Sequence, residues 1–385
     1  SSYDLKKLNN IIFTSNLDQL LDCEVFIITT PTPVDKNKKP NLNPLKNAVE
    51  TIASVINKKK ELRKNSINEK KFIVIIESTV YPGVTEEICI PIMEKKTNLE
   101  LNKDFIFGYS PERINPGDKK HTLSKITKVT SGSDKEGSIW IDQFYSSFIE
   151  AGTYKAKNIK TAEAAKVIEN IQRDINISLI NELSIIFKKL GIETLEVLKC
   201  AETKWNFIPF RPGLVGGHCI GVDPYYLTFK SEEVGYTPQV ILSGRRINDS
   251  MANWFAIEII KKISKDGIKI KNLEILILGF TFKENCPDFR NTKILDLINN
   301  LRTFGANPII FDPEVQRKEV KENLMEEIIS SRKLFNSKFK VIILAVAHNY
   351  FREMSINEWH KIIDKDTLIF DLKGIVPIEL KPIRF

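Results

Sequence analysis

Short apolar runs alternate with stretches of helical repeat in the first third of the chain. The runs at 24–29, 72–76 and 105–109 predict buried strands, and the patterns at 44–59 and 83–95 predict helices between them. Strands that alternate with helices form a parallel sheet covered by helices on both faces. We therefore expect an α/β domain here.

Polar stretches follow each of these strands, at 30–33, 77–79 and 110–115. Ligands bind parallel sheets at the carboxyl ends of the strands. A dinucleotide-binding half should also begin with a strand, a G-x-G-x-x-G turn and a helix. Nothing before Glu24 supplies that unit, and 1–10 is polar and patternless. We expect that the chain begins inside a Rossmann domain; the alternative is a fold that never had this unit.

A long helix is predicted over 160–190. Apolar residues recur along it at helical spacing, at Ile168, Ile171, Ile175, Leu179, Leu183, Ile186 and Leu190. Its other faces carry further apolar residues, which predicts burial on more than one side and a second subunit packed there. Near its start Glu163, Lys166 and Asn170 share one stripe. An ordinary Glu–Lys surface pair is the alternative interpretation of that stripe.

The second half of the chain repeats the α/β pattern. Gly191 ends the long helix, a shorter helix is predicted over 194–204, and Pro238 starts another that continues towards Ile263. Strands are predicted in the remainder, at 273–279, 308–311, 340–345 and 367–371. Gly279 ends the first of these strands where a phosphate could approach the backbone, and Lys283 and Arg290 follow it.

The predicted fold is α/β, with two Rossmann-like domains, the first incomplete at its N-terminus, joined by a long central helix. The boundaries are 1–155 for the first α/β domain, 156–266 for a central helical domain and 267–385 for the second α/β domain.

A glycine-rich stretch at 213–224 holds four glycines, with His218 beside Cys219 and Asp223 four residues further on. Glycine lets the backbone approach a ligand closely. Cys219 is a candidate nucleophile in this loop; a glycine-rich turn with a buried cysteine is the alternative. His218 is given no role in proton transfer, because a sequence neighbour of Cys219 need not face the same way.

Charge and cysteine usage narrow the class of protein. The net charge is +8, but lysine is dispersed, with local runs only at 58–60 and 119–120. Dispersed positive charge suits an anionic small substrate and argues against nucleic acid. The five cysteines show no CxxC and no metal-ligand spacing, which predicts no metal site and a reducing cytoplasm. No apolar run reaches the length of a membrane span, and we expect no membrane association.

With these motifs in hand, the chain resembles the UDP-sugar 6-dehydrogenase family, in the branch that acts on UDP-N-acetylhexosamines. The resemblance runs from about Phe13 to Gly374 and is most specific at 109–118, 164–174 and 204–227. It implies a four-electron oxidation in which two NAD+ bind in succession and the C6 alcohol of a UDP-sugar becomes a carboxylate. It also implies NAD binding by the domain 1–155, dimerisation and catalysis by 156–266, and UDP-sugar binding by 267–385. The Gly-rich loop on which the family binds the NAD pyrophosphate is not in this sequence.

The resemblance also implies catalytic roles. Cys219 would attack the C6 aldehyde to give a thiohemiacetal and then a thioester. Lys166 and Asn170 would hold the C6 oxygen or a water and stabilise negative charge. Asp223 would take protons through water, and Glu112 would assist hydrolysis.

The water for hydrolysis would be placed with help from Thr79. The implied cofactor contacts are Thr30, Pro31, Thr32, Glu77, Ser78, Thr79, Lys283 and Arg290. The implied substrate contacts are Glu112, Arg113, Ile114, Lys166, Asn170, Arg211, Gly213, Gly216, Arg245, Arg246, Phe282 and Lys283. The three arginines 211, 245 and 246 are assigned to the diphosphate or the acetamido group, with a reach across the dimer.

UDP-N-acetylglucosamine is the first expected substrate, with UDP-GalNAc, UDP-ManNAc and UDP-glucose as alternatives. The product is expected to feed a surface polysaccharide such as capsule or O-antigen, and the enzyme is expected to be a cytoplasmic homodimer. Two other readings stay open: an inactive UDP-sugar-binding member, and a generic NAD-dependent oxidoreductase of small hydroxy acids. The Cys219 loop and the second α/β domain argue against the last.

Overall fold

The computed structural model describes residues 11–62, 71–115, 118, 120–315 and 327–385. The patternless stretch 1–10 and three residues of the predicted motifs and lysine runs, Pro116, Gly117 and Lys119, lie outside the described residues. The chain divides into two compact units, one ending at Val167 and the other running over Ile168–Phe385. The division into three domains stays a prediction.

The first unit contains a parallel sheet of three strands in the order β1-β2-β3. Its elements are β1 (Val25–Ile28), α1 (Asn43–Leu62), β2 (Phe72–Ile76), α2 (Ile90–Thr97) and β3 (Phe105–Tyr109). The strand predictions are confirmed, since branched apolar side chains fit a buried pleated surface. Ile28, Ile76 and Tyr109 pair in register, so the three strands end at one level and the polar stretches after them become neighbours.

A small parallel pair, β4 (Lys128–Thr130) and β5 (Thr153–Lys155), flanks α3 (Lys135–Ser146) in the same unit. Asp134 caps α3 by accepting from the N–H of Gly137. The sequence pattern did not predict either strand, because three residues are too few to show a period. A bridge between Gly108 and Gly132 attaches this pair to β3.

The predicted central helix is confirmed as α4 (Ile159–Leu190). Its buried residues include an unbroken polar stripe, Glu163, Lys166, Asn170, Asp174, Ser178, Asn181 and Ser184. Much of the apolar repeat is exposed instead: Ile168 is 52% exposed and Leu190 is 64% exposed. The helix thus turns its polar side inward within this chain and leaves apolar side chains uncovered.

The second unit holds four parallel strands in the order β7-β6-β8-β9. Its strands are β6 (Glu274–Leu278), β7 (Asn307–Phe311), β8 (Phe339–Leu344) and β9 (Ile363–Asp371). Its helices are α5 (Thr194–Glu202), α6 (Asp223–Glu233), α7 (Gln239–Lys265), α8 (Ile294–Thr303), α9 (Ser331–Phe335), α10 (Asn349–Arg352) and α11 (Ile356–Ile362). One sheet face packs on α7 and α8, and the other packs around Trp359 and Phe351.

The expectation that Asp223 lies within the loop is wrong, because Asp223 is the first residue of α6. Proline at the second position favours a helix start there. Across the described ranges, no helix is both long enough and apolar enough to cross a membrane.

Candidate active site

The loop that carries Cys219 is fastened to α4 at its beginning. The side-chain amide of Asn181 donates to the carbonyl of Gly213 at 3.0 Å and accepts from its N–H at 2.8 Å. Asn181 is fully buried, so breaking this pair would leave polar groups unsatisfied. The start of the loop therefore has one fixed backbone path.

The middle of the loop lies against the segment after β6. Gly217 donates its N–H to the carbonyl of Asn291 at 3.1 Å. A Cβ added at Gly216 would lie 2.7 Å from that carbonyl oxygen, and one at Gly217 would lie 2.6 Å from the Phe282 ring. Gly217 also has φ of 84°, which L side chains rarely adopt. Glycine is required at both positions for the loop to pack this closely.

Cys219 lies exposed at the end of this loop. Its carbonyl accepts the N–H groups of Val222 at 3.0 Å and Asp223 at 2.8 Å, so the chain turns directly into α6. The interpretation of Cys219 as a buried structural cysteine is wrong. Its role as a nucleophile stays a prediction, and its accessibility is compatible with that role.

Asn170 and Asp223 meet beside this turn. Asn170 Nδ2 donates to Asp223 Oδ2 at 2.5 Å, and both side chains are buried. Arg173, one turn along α4, donates to Asn170 Oδ1, which fixes the orientation of the amide. The structure thus brings three predicted residues, Asn170, Cys219 and Asp223, into one part of the second unit.

At the carboxyl edge of the first sheet, hydroxyl groups join the strand ends. Ser78 Oγ donates to the carbonyl of Thr30 at 2.6 Å, and Thr32 Oγ1 donates to the carbonyl of Thr79 at 2.6 Å. Pro31 lies between the two threonines. These loops are held together by side chains, so the predicted cofactor residues on them form one polar surface.

Two acidic side chains continue this edge. Glu77 pairs with Lys128 on β4, with Oε1 and Nζ 3.2 Å apart, and also accepts from the hydroxyl of Tyr145. Glu112 Oε2 lies 4.0 Å from the same ammonium. Burial and the charge of Glu77 raise the pKa of Tyr145, which stays a donor at neutral pH. The predicted residues Glu77 and Glu112 therefore share one buried cation.

The stripe on α4 is not a surface pair. Glu163 is fully buried, and accepts from the N–H of Gly83 at 2.6 Å and from the N–H and hydroxyl of Thr85 at 2.9 and 2.7 Å. Burial, partly offset by these bonds, raises the pKa of Glu163 to about 7. Glu163 thereby holds the turn that follows Thr79 against the helical segment that carries Lys166.

A cavity of about 320 Å³ opens at the carboxyl edge of the second sheet. Its lining includes Phe282 and five basic residues, Arg211, Lys283, Lys293, Arg352 and Lys373. Burial, opposed by the charge of Glu284, lowers the pKa of Lys373. An anion in the cavity would stabilise the charged form of this lysine. The cavity therefore suits a small anionic ligand.

A buried histidine fixes the loop that begins this cavity. His348 Nδ1 accepts the N–H of Asn285 at 2.9 Å, while Nε2 lies 3.1 Å from Asp312 Oδ2. Asp312 also accepts the N–H groups of Phe280 and Thr281. Burial acts to raise the pKa of Asp312, but His348 and these donors outweigh it and lower the pKa. A backbone donor on Nδ1 requires the neutral imidazole with its proton on Nε2.

The predicted arginines take different positions. Arg245 is buried and pairs with Asp174 and Asp249, each at 2.6 Å. Arg211 pairs with Glu202, and Arg290 pairs with Asp288 at 2.7 Å. The remaining predicted contacts, Arg113, Ile114 and Arg246, lie at the surface or partly buried, and Arg246 donates to Ser243 at 3.0 Å. Substrate contacts by these residues stay predictions.

Sequence reasoning missed several residues that build the site: Lys128, Tyr145, Arg173, Asn181, Asn291, Lys293, Asp312, His348, Arg352 and Lys373. The sequence could have indicated Asn181, because this residue continues the polar stripe of Glu163, Lys166 and Asn170 at helical spacing. Lys128 carried none, since its strand is too short for a pattern.

Three family models match the chain. The "NAD binding domain" of the UDP-glucose/GDP-mannose dehydrogenase family matches 4–149, its "central domain" matches 160–250, and its "UDP binding domain" matches 276–377. Together they extend over most of the chain.

Individual relatives are similar over nearly the whole chain. A UDP-N-acetyl-D-glucosamine 6-dehydrogenase of Salmonella typhi is 48% identical over 99% of this chain and 86% of its own length. Another of that name from Pseudomonas aeruginosa is 48% identical over 99% and 87%. The solved structure of a UDP-D-ManNAc dehydrogenase from Pyrococcus horikoshii has a TM-score of 0.82 and 27% identity, covering 97% of this chain and 83% of that one.

Proposed function

The chain belongs to the UDP-glucose/GDP-mannose dehydrogenase family and is an NAD-dependent UDP-sugar 6-dehydrogenase, and from that premise we propose that it oxidises UDP-N-acetylglucosamine at C6 to the uronate. The names of two relatives at 48% identity support this choice of sugar. The observation that carries the chemistry is the exposed Cys219, four residues before Asp223, whose carboxylate accepts from Asn170.

In the proposed reaction Cys219 Sγ adds to the C6 aldehyde, and the sugar stays covalently attached until water releases it. NAD+ would supply the oxidant for both oxidations when bound, each molecule taking one hydride, the first from the C6 alcohol and the second from the thiol adduct. In the last step water adds to the thioester carbon, the carbon–sulfur bond breaks, Cys219 leaves as thiolate and Glu112 takes the proton of the water. Thr79 helps to place that water.

Lys166 and Asn170 lie one turn apart on α4 and are both buried. We propose that they stabilise the negative charge that develops on the C6 oxygen. A buried ammonium and a buried amide donor act strongly there, because a low-dielectric site screens them little. Asp223 already accepts from Asn170, and it would pass protons through water.

The polar residues at the carboxyl edge of the first sheet fit NAD. The polar surface of Thr30, Pro31, Thr32, Ser78 and Thr79 is made of strand ends joined by hydroxyls, the position at which Rossmann sheets bind ligands. Glu77 lies on the same edge and is held by Tyr145 and Lys128. These residues would hold and orient the cofactor.

The basic cavity of the second unit is the proposed diphosphate site. Lys283, Lys293 and Arg352 contribute charge there, and Lys283 Nζ lies 5.7 Å from the centre of the Phe282 ring. Lysine and arginine bind phosphate through charge-assisted hydrogen bonds. The volume of about 320 Å³ suits part of a nucleotide rather than a macromolecule.

We further propose that two copies associate through α4. Its uncovered apolar residues, Ile168, Leu179, Ile186 and Leu190, lie along the helix. Contiguous exposed apolar surface of this kind is typical of interfaces. Leu179→Glu should give monomers in analytical ultracentrifugation; an unchanged dimer would argue against this interface. We also propose that the enzyme acts in the cytoplasm and that its product is used in surface polysaccharide synthesis.

NADH formation across a panel of UDP-GlcNAc, UDP-GalNAc, UDP-ManNAc and UDP-glucose tests the function. We expect the fastest turnover with UDP-GlcNAc and about two NADH per sugar consumed, since each of the two oxidations reduces one NAD+. One NADH with release of an aldehyde would sink the thioester mechanism. UDP binding without any turnover would favour an inactive UDP-sugar-binding member.

A further inference from the structure

The ammonium of Lys128 lies between two carboxylates of the first sheet's carboxyl edge. Its side chain is only 4% exposed, and Nζ is 3.2 Å from Glu77 Oε1 and 4.0 Å from Glu112 Oε2. A buried charge costs free energy unless it is paired. The fold maintains this lysine beside a residue proposed to act in catalysis, although the lysine has no assigned role.

The position of Lys128 is fixed by the backbone around it. Its N–H donates to the carbonyl of Gly152 at 3.1 Å, and the next residue, Val129, accepts from Ser110 Oγ at 2.7 Å. Ser110 directly follows β3 and precedes Glu112 by two residues. The strand that carries the ammonium is thus attached to the loop that carries Glu112.

Within the described part of the chain, the titratable groups that face the ammonium are Glu77, Glu112 and Tyr145. The Tyr145 ring centre is 5.0 Å from Nζ, and its hydroxyl donates to Glu77. Because that hydroxyl remains protonated, it adds no charge to the two carboxylates and the ammonium; the Arg113 guanidinium lies at the adjacent carbonyl of Thr127, 2.8 Å away. Glu77 is the more buried acid, with 14% of its side chain exposed against 41% for Glu112.

Lys128 acts on these acids through its charge. Among the described residues no acceptor is aligned for a hydrogen bond with its Nζ. The backbone already sets the position of Glu112, whose N–H donates to the carbonyl of Glu77 at 3.2 Å. Without the ammonium, the two carboxylates would repel each other in a partly buried place, and one of them would tend to take up a proton.

We propose that Lys128 is a positioning residue that offsets the charge of Glu77 and so keeps Glu112 ionised to accept a proton during thioester hydrolysis. This rests on the role proposed for Glu112. Lys128 itself touches neither the substrate nor the reacting atoms in this scheme.

The pH dependence of turnover tests this proposal. Lys128→Met is the main variant, and Lys125→Met, at an exposed lysine, is the matched control. Removing the ammonium should move the acid limb of the rate profile up by about one pH unit, and Lys125→Met should not move it. Lys128→Arg keeps the charge and should leave the limb in place. Glu77→Gln removes the competing anion, so it should move the limb down.

We expect the acid limb to move up in Lys128→Met and down in Glu77→Gln. A lysine with only a structural role would not produce these opposite shifts. An unmoved acid limb in Lys128→Met overturns the proposal. If that variant does not fold, Glu77→Gln decides, and a limb that fails to move down overturns it equally.

A second readout separates this inference from the proposed function. The Glu112 carboxyl can be titrated by 13C NMR in the full chain without substrate, with Glu112→Gln to assign the signal. If no UDP-sugar is oxidised but the titration moves as expected between wild type and variants, the proposed function fails and the charge effect of Lys128 stands. Turnover with an unmoved titration overturns the role of Lys128 alone.

Discussion

The three-stranded sheet of the first unit and the four-stranded sheet of the second both end in polar loops at their carboxyl edges, but the two edges carry opposite chemistry. The first presents hydroxyls and the acids Glu77 and Glu112 around one buried ammonium, Lys128. The second presents a cavity lined by five basic side chains, Lys283 and Lys373 among them. In both sheets the carboxyl ends of the parallel strands are the place where a ligand binds. The charge of the side chains therefore decides the kind of ligand at each edge.

The two edges are also fixed in different ways. At the first, Thr32 and Ser78 join neighbouring loops by hydroxyl-to-carbonyl bonds. At the second, the buried pair of His348 and Asp312 holds the loop after β6 through three backbone N–H groups. At the second edge the basic side chains thus remain available to the cavity, because buried groups, His348 and Asp312, hold the backbone instead.

The largest effect should come from Cys219→Ala. We expect NADH formation to fall on the order of a thousandfold or more, because the covalent step is lost. Binding of UDP, measured by calorimetry, should persist, since the basic cavity is built from other residues. Cys200→Ala, at an exposed cysteine of α5, is the control. A near wild-type rate in Cys219→Ala would end the idea that Cys219 is the nucleophile.

Glu163 should give the first unit a pH-dependent stability. The pKa of Glu163 is about 7 in the folded chain against an ordinary value of 4.5 for a glutamate side chain, so folding favours the protonated form. This stabilisation is fully present below about pH 4.5 and is lost as pH rises through 7, by about 3 kcal/mol.

Urea unfolding at pH 5 and pH 8 measures this, and the difference between wild type and Glu163→Gln isolates the contribution of Glu163. Glu150→Gln, at an exposed acid of the same unit, serves as control. Equal pH dependence in wild type and Glu163→Gln contradicts the prediction.

Asn181→Leu should destabilise the second unit by about 2 kcal/mol, because both backbone groups of Gly213 lose their partner in a buried place. Chemical denaturation gives the free energy of unfolding. Asn176→Leu replaces a less buried asparagine of the same helix. If the two substitutions cost the same, Asn181 is not an anchor of the Cys219 loop.

The smallest of these effects is expected from Lys283→Gln. Loss of one charge from the basic cavity should weaken UDP binding about tenfold, and less at high salt. NAD+ binding should be nearly unchanged, and the exposed Lys269→Gln should alter neither. Isothermal titration with each ligand separates the edges; equal weakening of both would mean that Lys283 also serves the cofactor.

Much of the fold could be predicted because its strands are continuous apolar runs. The runs at 24–29, 72–76 and 273–279 predicted strands whose ends lie within a residue of the observed ones. The two strands of three residues each could not be found, since no period can be read from so short a segment. Helix α4 was predicted in full, but which of its sides is buried was not.

The sequence by itself determined the α/β architecture, the long helix and the glycine-rich loop around Cys219, because local patterns and glycine content encode them. Only the tertiary structure decided that Asn181 fastens Gly213, that Glu163 is a buried carboxyl, and that Lys128 is shared by Glu77 and Glu112. Those pairs join residues far apart in the chain, and their energies depend on burial and on distances of a few ångströms. Neither quantity exists until the chain has folded.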